Sequence, residues 1–208
     1  MARVAIIGGG GFAKEVIEIA ELLGHKIVGI FALENSLKEY KYLGYKDEIL
    51  SKRDSYDAIH IAIGAVNQQG IEIRNELIDF LQQHNIPSIS LISPKATIAK
   101  SVTIKEGTFI AHEVLISCDT QIGNYVIINQ RAVIGHDCKI EDRVSIAPLV
   151  FLGGGVIVEK ESMIGVRATI RQGIKIAHNS TIGMGSLVIK STKPYTLTLQ
   201  MPSKTHKM

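Results

Sequence analysis

The chain has 208 residues, a formal net charge of +3 and 46% hydrophobic residues, enough for one domain or two small ones with a sizeable core. Its charges are mixed in sign with no basic block, so nucleic acid is not indicated as a partner. Two cysteines, Cys118 and Cys138, fit a reducing compartment better than a disulfide scaffold, and with no membrane-length apolar run and no signal-peptide pattern ahead of the first strand the expected location is cytoplasmic.

Residues 3 to 7 (Arg-Val-Ala-Ile-Ile) read as a buried parallel strand. Four glycines, Gly8 to Gly11, follow, and Phe12 opens a helix that runs to about Leu23. Its inner stripe is Val16, Ile19, Ala20 and Leu23. Gly24 ends it, and Lys26 to Phe31 is a second strand. This βαβ unit sets a glycine loop at a helix N-terminus, where free backbone N–H groups favour phosphate. Gly8-x-Gly10-x-x-Ala13 matches the dinucleotide fingerprint. However, the second strand ends in apolar Phe31-Ala32-Leu33, with Glu34 the nearest acid for a ribose. About 90 residues precede the next domain, room for one mononucleotide-binding half. A nucleotide diphosphate is the leading ligand, against NAD or a purely structural turn. Asp57 to Ile63 gives a further strand ending in Gly64, and a helix follows from about Gln68 to His84 with Ile71, Leu77, Ile78 and Leu81 on its core side. Ser93-Pro94 marks the junction. The expected domains are thus 1–91, 92–191 and a tail, 192–208.

From Ile92 to Val188 an aliphatic residue falls at every sixth position, seventeen times without a gap. Four residues after each comes a small or β-branched residue, such as Ala96, Val102, Thr108, Val114, Val126, Ala132, Val144 and Val156. Neither a helix nor an ordinary strand has period six. A hexapeptide repeat specifies a parallel β-helix solenoid, here of the left-handed triangular kind with three hexads per coil. The aliphatic residues then form three inner columns, and the small residue turns each corner where bulk would not fit. Outward Leu115, Ile127, Val133 and Phe151 would leave apolar patches that mark an interface, and a closed trimer would bury them.

His136 is the third residue of its hexad and points outward. It shares a column with Lys100, Cys118, Gly154, Gln172 and Lys190. Gly154 lies in Gly153-Gly154-Gly155, so a lane without side chains is expected beside the imidazole, with backbone N–H groups exposed to a thioester oxyanion. Acyl transfer needs a base near neutral pH, which imidazole with its ordinary pKa of ~6.5 provides. A lone outward histidine is more often plain surface, and the lane is what argues otherwise. No second histidine shares the face, because His112 and His178 fall on the others, so a metal site is not expected. Cys118 reads as a surface or interface thiol and Cys138 as core. Asn129, one hexad earlier, either holds a sugar hydroxyl or caps a turn.

Over nearly its whole length the chain resembles the bacterial sialic-acid O-acetyltransferase family, which includes N-acetyltransferases of nucleotide-linked amino sugars. The matching stretches are Ile6-Ile7-Gly8-Gly9-Gly10-Gly11, Ile61-Ala62-Ile63-Gly64, Ile128-Asn129 and Ile134-Gly135-His136-Asp137-Cys138, with Met201-Pro202-Ser203-Lys204 a degenerate form of the family's close. The resemblance implies a homotrimer, acetyl-CoA as acyl donor in the groove between neighbouring solenoids, and a nucleotide-linked sugar on the N-terminal domain. It assigns His136 as general base and Asp137 as the acid that raises its basicity. Substrate contacts would fall on Gly8, Gly10, Gly11, Phe12, Glu34, Gly64 and Asn129, and cofactor contacts on Ser145, Gly154, Val166 and Met184. The chain departs from the family pattern at three places: Phe12 replaces a histidine, the Ala32-Leu33 pair an acidic pair, and Ser145 a second histidine.

The expected function is an acetyl-CoA-dependent N-acetyltransferase of a nucleotide-activated amino sugar, serving surface glycan synthesis or protein glycosylation. The alternatives are a sialic-acid O-acetyltransferase and a non-catalytic hexapeptide scaffold.

Overall fold

The computed structural model describes residues 1–64 and 67–200. The Met201-Pro202-Ser203-Lys204 stretch lies outside the described residues.

An α/β region comes first. Strands β1 (Arg3–Ile7), β2 (Lys26–Phe31), β3 (Tyr42–Gly44) and β4 (Ala58–Ile61) form a parallel sheet in the order β3-β2-β1-β4. Helix α1 (Gly11–Leu22) follows β1, the short α2 (Glu48–Ser51) follows β3, and α3 (Gln68–Gln83) follows β4. The ends of β1, β2 and α1 fall within a residue of the sequence reading, because Gly8 to Gly11 and Gly24 punctuate them. β3 and α2 were not anticipated, since their stretch carries neither a helical nor an alternating pattern. On α1, Val16, Ile19 and Ala20 are buried as expected, but Leu23, just past its end, is partly exposed, and Ala13 and Ile17 are buried instead. The helix is clamped between the sheet and the solenoid, so it hides more than one narrow stripe.

The solenoid has about six turns. Its strands are two residues long, from β5 (Leu91–Ile92) to β21 (Leu187–Val188). Each of the seventeen periodic aliphatic residues is the second residue of one strand. Residues eighteen apart pair in parallel, as Ile128 with Ile110 and Ile146, and the strands stack into three sheets. Most of the inner columns are fully buried, and each such side chain contributes roughly 1.5–3 kcal/mol. The corners need a left-handed residue, taken by Glu113, Asp119, Arg131, Asp137 and Arg143 among others. That conformation costs roughly 1–2 kcal/mol per non-glycine residue, offset by the inner columns and the inter-coil ladder. Two of the polar inward corners pair with the chain: Thr108 Oγ1 donates to Gly123 O and Thr120 Oγ1 to Gly135 O, both at 2.9 Å. A final strand, β22 (Leu197–Thr198), pairs with Thr181–Ile182, so the sheet continues past residue 191 into the expected tail.

The two regions are packed together. Phe12 of α1 meets Phe109 edge to face at 5.1 Å. From α3, the buried Arg74 guanidinium donates to the carbonyls of Tyr125 and Arg143, and Arg143 in turn pairs with Asp79. The α/β region therefore covers the early coils of one prism face. Ile127 lies there and is buried, against the expectation that it is an exposed patch residue. Leu115 and Phe151, on a different face, are exposed as expected.

Candidate active site

His136 stands on the sheet that contains Val133–Ile134, Phe151–Leu152 and Thr169–Ile170. Asp137, the next residue, takes the left-handed corner at φ 57°. This turn returns its carboxylate to the preceding side chain, and Asp137 Oδ2 lies 2.6 Å from His136 Nδ1. A neutral imidazole paired in this way carries its proton on Nδ1 and donates it to the carboxylate, leaving the Nε2 lone pair free. Both side chains are about two-thirds exposed (65% and 64%). Behind them the corner is pinned: Cys138 N donates to Thr120 Oγ1 at 3.2 Å, and Cys138 Sγ to Gly153 O at 3.3 Å. Burial pushes the Cys138 thiol up, so it is an inert core group, while Cys118 is exposed.

The expected lane of bare backbone beside the imidazole needs correcting. A Cβ on Gly154 would sit 2.5 Å from His136 Nε2 and 2.6 Å from Cε1. The imidazole itself occupies the space over Gly154, and the glycine is there to let the ring lie down. Open space is found over Gly155, where a Cβ would meet nothing within 4 Å. Of the three amides, Gly153 N donates to Ile170 O and Gly155 N to His136 O, both at 2.8–2.9 Å. The Gly154 amide takes no part in that ladder. Ser117, Phe151, Arg171, Gln172, Leu187 and Ile189 complete this open cleft.

A second cavity, about 590 Å³, opens on the neighbouring prism face, below the part that the α/β region covers. It gathers six of the expected site residues: Phe12, Gly64 and Asn129 from the substrate set, and Ser145, Val166 and Met184 from the cofactor set. Its walls are mostly apolar, with Ile127, Met163, Leu197 and Leu199 among them. Asn129 Nδ2 donates to Ile146 O at 3.0 Å, and the buried Ser145 hydroxyl has no partner in the protein. Glu15 and Gln130 also line the cavity, and Gln130 Nε2 donates to the Glu15 carboxylate. Sequence reasoning passed over both, although Glu15 stands one turn along α1 from Phe12.

The glycine loop forms a third site. Gly8 has φ +132°, and a Cβ there would lie 2.4 Å from Ala62 O, so only glycine fits. Gly10 caps α1 with no side chain bonded to its free amides, and the first turn carries no acid. Gly8, Gly10 and Glu34 line a cleft of about 300 Å³ with Ser36, Tyr45 and Ile73. Tyr45 and Ser36 went unnoticed in the sequence because they belong to the unpatterned stretch around β3. Gly11 sits beside this cleft as the first residue of α1. One chain thus gathers its site residues in three places, and His136 and Asp137 lie on a different prism face from the 590 Å³ cavity. Among the described residues no group of His, Cys, Asp and Glu has a metal-binding arrangement, and no helix is long and apolar enough to cross a membrane.

Comparison with known proteins agrees with this architecture. Residues 3–78 match the PglD N-terminal domain, residues 119–154 the bacterial transferase hexapeptide (six repeats), and residues 155–190 the hexapeptide repeat of succinyl-transferase. GDP-perosamine N-acetyltransferase of Escherichia coli O157:H7 is 28% identical over 183 residues, 84% of this chain and 80% of that protein. The crystal structure of PerB from Caulobacter crescentus, in complex with CoA and GDP-perosamine, superimposes with a TM-score of 0.89 at 29% identity, over 97% of this chain and 96% of the other. The acetyltransferase domain of PglB from Neisseria gonorrhoeae, in complex with acetyl coenzyme A, gives 0.85 at 26% identity, over 97% and 98%. Fold and site together define a hexapeptide-repeat acyltransferase. The chain joins a PglD-type N-terminal domain to hexapeptide repeats and is homologous to GDP-perosamine N-acetyltransferase.

Proposed function

We propose that this enzyme transfers the acetyl group of acetyl-CoA to the amine of a nucleotide-linked amino sugar, with His136 as general base. The observation that carries the reading is the His136–Asp137 pair, whose ring, with Nε2 unpaired, lies over the Cα of Gly154, a residue whose amide stands outside the backbone ladder. The acceptor's ammonium gives one proton to Nε2, and the freed lone pair forms the N–C bond at the thioester carbon. The Gly154 N–H stabilises the tetrahedral oxyanion. The C–S bond then breaks, the thiolate takes the nitrogen's second departing proton, and the imidazolium returns its own to solvent. Asp137 holds the tautomer and stabilises the imidazolium. General-base catalysis of this kind contributes roughly 10²–10⁴-fold.

The amides of Gly10 and Gly11 at the uncapped α1 N-terminus hold the diphosphate, Gly8, whose own amide donates to Phe31 O at 2.9 Å, shapes the loop beside it, and Glu34 reaches the nucleoside. Phe12, Gly64 and Asn129 seat the sugar, while Ser145, Val166 and Met184 line the path of the pantetheine arm. Residues 162–200 contain Arg167, Arg171, Lys175, Lys190 and Lys193 but no acid, a positive end of the prism suited to the phosphates of CoA. Because His136 and the cavity lie on adjacent faces of one prism, a second copy is needed to bring a histidine to each cavity. A closed trimer does so three times and covers Leu115 and Phe151. GDP-perosamine, the ligand of the Caulobacter relative, is the first acceptor to try. The test is thiol release from acetyl-CoA with a panel of GDP-, UDP- and dTDP-amino sugars and with sialic acid. Turnover with an amine acceptor is expected. Turnover with sialic acid alone, or none together with no CoA binding, would overturn the reading.

A further inference from the structure

The 590 Å³ cavity is walled by leucine, isoleucine, methionine, valine, glycine and alanine, with few polar side chains. Among the described residues that line it, Glu15 is the only one with an ionisable side chain. The carboxylate stands on α1, one turn from Phe12, and accepts a hydrogen bond from the neutral Gln130 on one oxygen, Oε2. No cationic side chain among the described lining residues offsets its charge. A single negative charge at an apolar recess selects a ligand with a positive group on a compact, weakly polar body, and rejects an uncharged group of the same shape. An amino sugar at neutral pH has that form, whereas the corresponding hydroxy sugar does not.

We infer that Glu15 is the specificity-determining residue for the acceptor: its carboxylate receives the sugar's ammonium and makes the enzyme choose nitrogen over oxygen. The inference rests on the amino-sugar reading above and deepens it. Glu15 binds and discriminates; the proton leaves toward His136 and not toward this carboxylate. It also gives the Glu15–Gln130 bond a purpose beyond joining α1 to the solenoid, because Gln130 Nε2 fixes one carboxylate oxygen and leaves Oε1 for the ligand.

Glu15→Gln keeps the size and a hydrogen-bonding amide but removes the charge, and Gln130→Ala removes the inter-region bond but keeps the carboxylate. Calorimetric binding should be measured for the amino-sugar nucleotide, GDP-perosamine or whichever panel member releases thiol, and for its neutral N-acetylated product. Glu15→Gln is expected to weaken the amine-bearing acceptor about 10- to 100-fold, the range of a charge-assisted hydrogen bond. The N-acetylated product and acetyl-CoA should bind within about twofold of the unaltered enzyme, and Gln130→Ala should leave the preference for amine over product in place. Equal weakening of acceptor and product, or loss of the preference in Gln130→Ala, would overturn the assignment of Glu15 while leaving the transferase reading intact. Failure of the unaltered enzyme to bind any amino-sugar nucleotide would overturn both.

Discussion

Gly154→Ala probes the contact between the imidazole and the backbone beneath it. The φ of Gly154 lies outside the left-handed region, unlike that of Gly155 at +65°, so alanine is conformationally admissible at position 154. The added methyl would lie 2.5 Å from His136 Nε2, 2.6 Å from Cε1 and 3.0 Å from Cδ2. Carbon contacts relax at about 3.5–4.0 Å, so the ring must move by about 1 Å or swing away from the Gly154 amide. A misplacement of that size costs about 10²-fold in rate, and complete loss of the base costs up to about 10⁴-fold. The fold should not suffer, because the side chain that yields is two-thirds exposed and glycine-to-alanine replacement restricts the unfolded chain, worth about 0.4–1 kcal/mol. The assay is steady-state thiol release alongside thermal unfolding: kcat is expected to fall about 100-fold or more with an unchanged or slightly raised Tm. Full kcat in Gly154→Ala would mean that the imidazole does not work from this position.

His136→Ala should lower kcat about 10²–10⁴-fold and leave the KM for acetyl-CoA near its original value, because the base acts only on the transferring proton. Asp137→Asn should cost less than His136→Ala, because the carboxylate orients the imidazole and does not itself take the proton; a kcat as low as that of His136→Ala would reject that division of roles. Arg74→Met strips the Tyr125 and Arg143 carbonyls of their buried donor and should destabilise the chain by about 1–3 kcal/mol in urea unfolding. Burial holds His60 down at about 4, with Nδ1 bonded to Ile89 O at 2.8 Å. The unfolded chain therefore takes up a proton below about pH 6.5 that the folded chain refuses until about pH 4, and stability should drop across that window by up to about 3 kcal/mol. His60→Gln should flatten the slope of unfolding free energy between pH 6.5 and 4; an unchanged slope would assign the loss to other groups.

The solenoid was legible because its rule is local and repeated: Ile134, Ile140 and Ile146 each turn inward for the same reason, so one period places every strand. The glycine loop was legible too, since Gly8 meets Ala62 O at a distance no side chain tolerates. What escaped depends on contacts between distant residues. Ile127 follows the outward pattern yet is buried, because the α/β region folds over that face. The bare lane at Gly154 was inferred from the missing side chain, but a glycine also admits the neighbour that fills its space, here His136. Glu15 and Tyr45 were overlooked because a single polar residue on a helix or loop carries no periodic signal. Only docking of α1 on the solenoid and the return of β3 place them at cavities.

The claim that each active site joins the His136 face of one copy to the cavity of another is tested most directly by mixing two inactive variants. His136→Ala removes the base, and Ala147→Trp fills the 590 Å³ cavity while keeping the base. Co-refolded in equal amounts, they should restore about a quarter of full activity, because in a random trimer about one interface in four pairs an intact histidine with an intact cavity. Homotrimers of either variant, confirmed by light scattering, should stay inactive. A mixed population that assembles yet shows no activity above its parents would contradict the shared site.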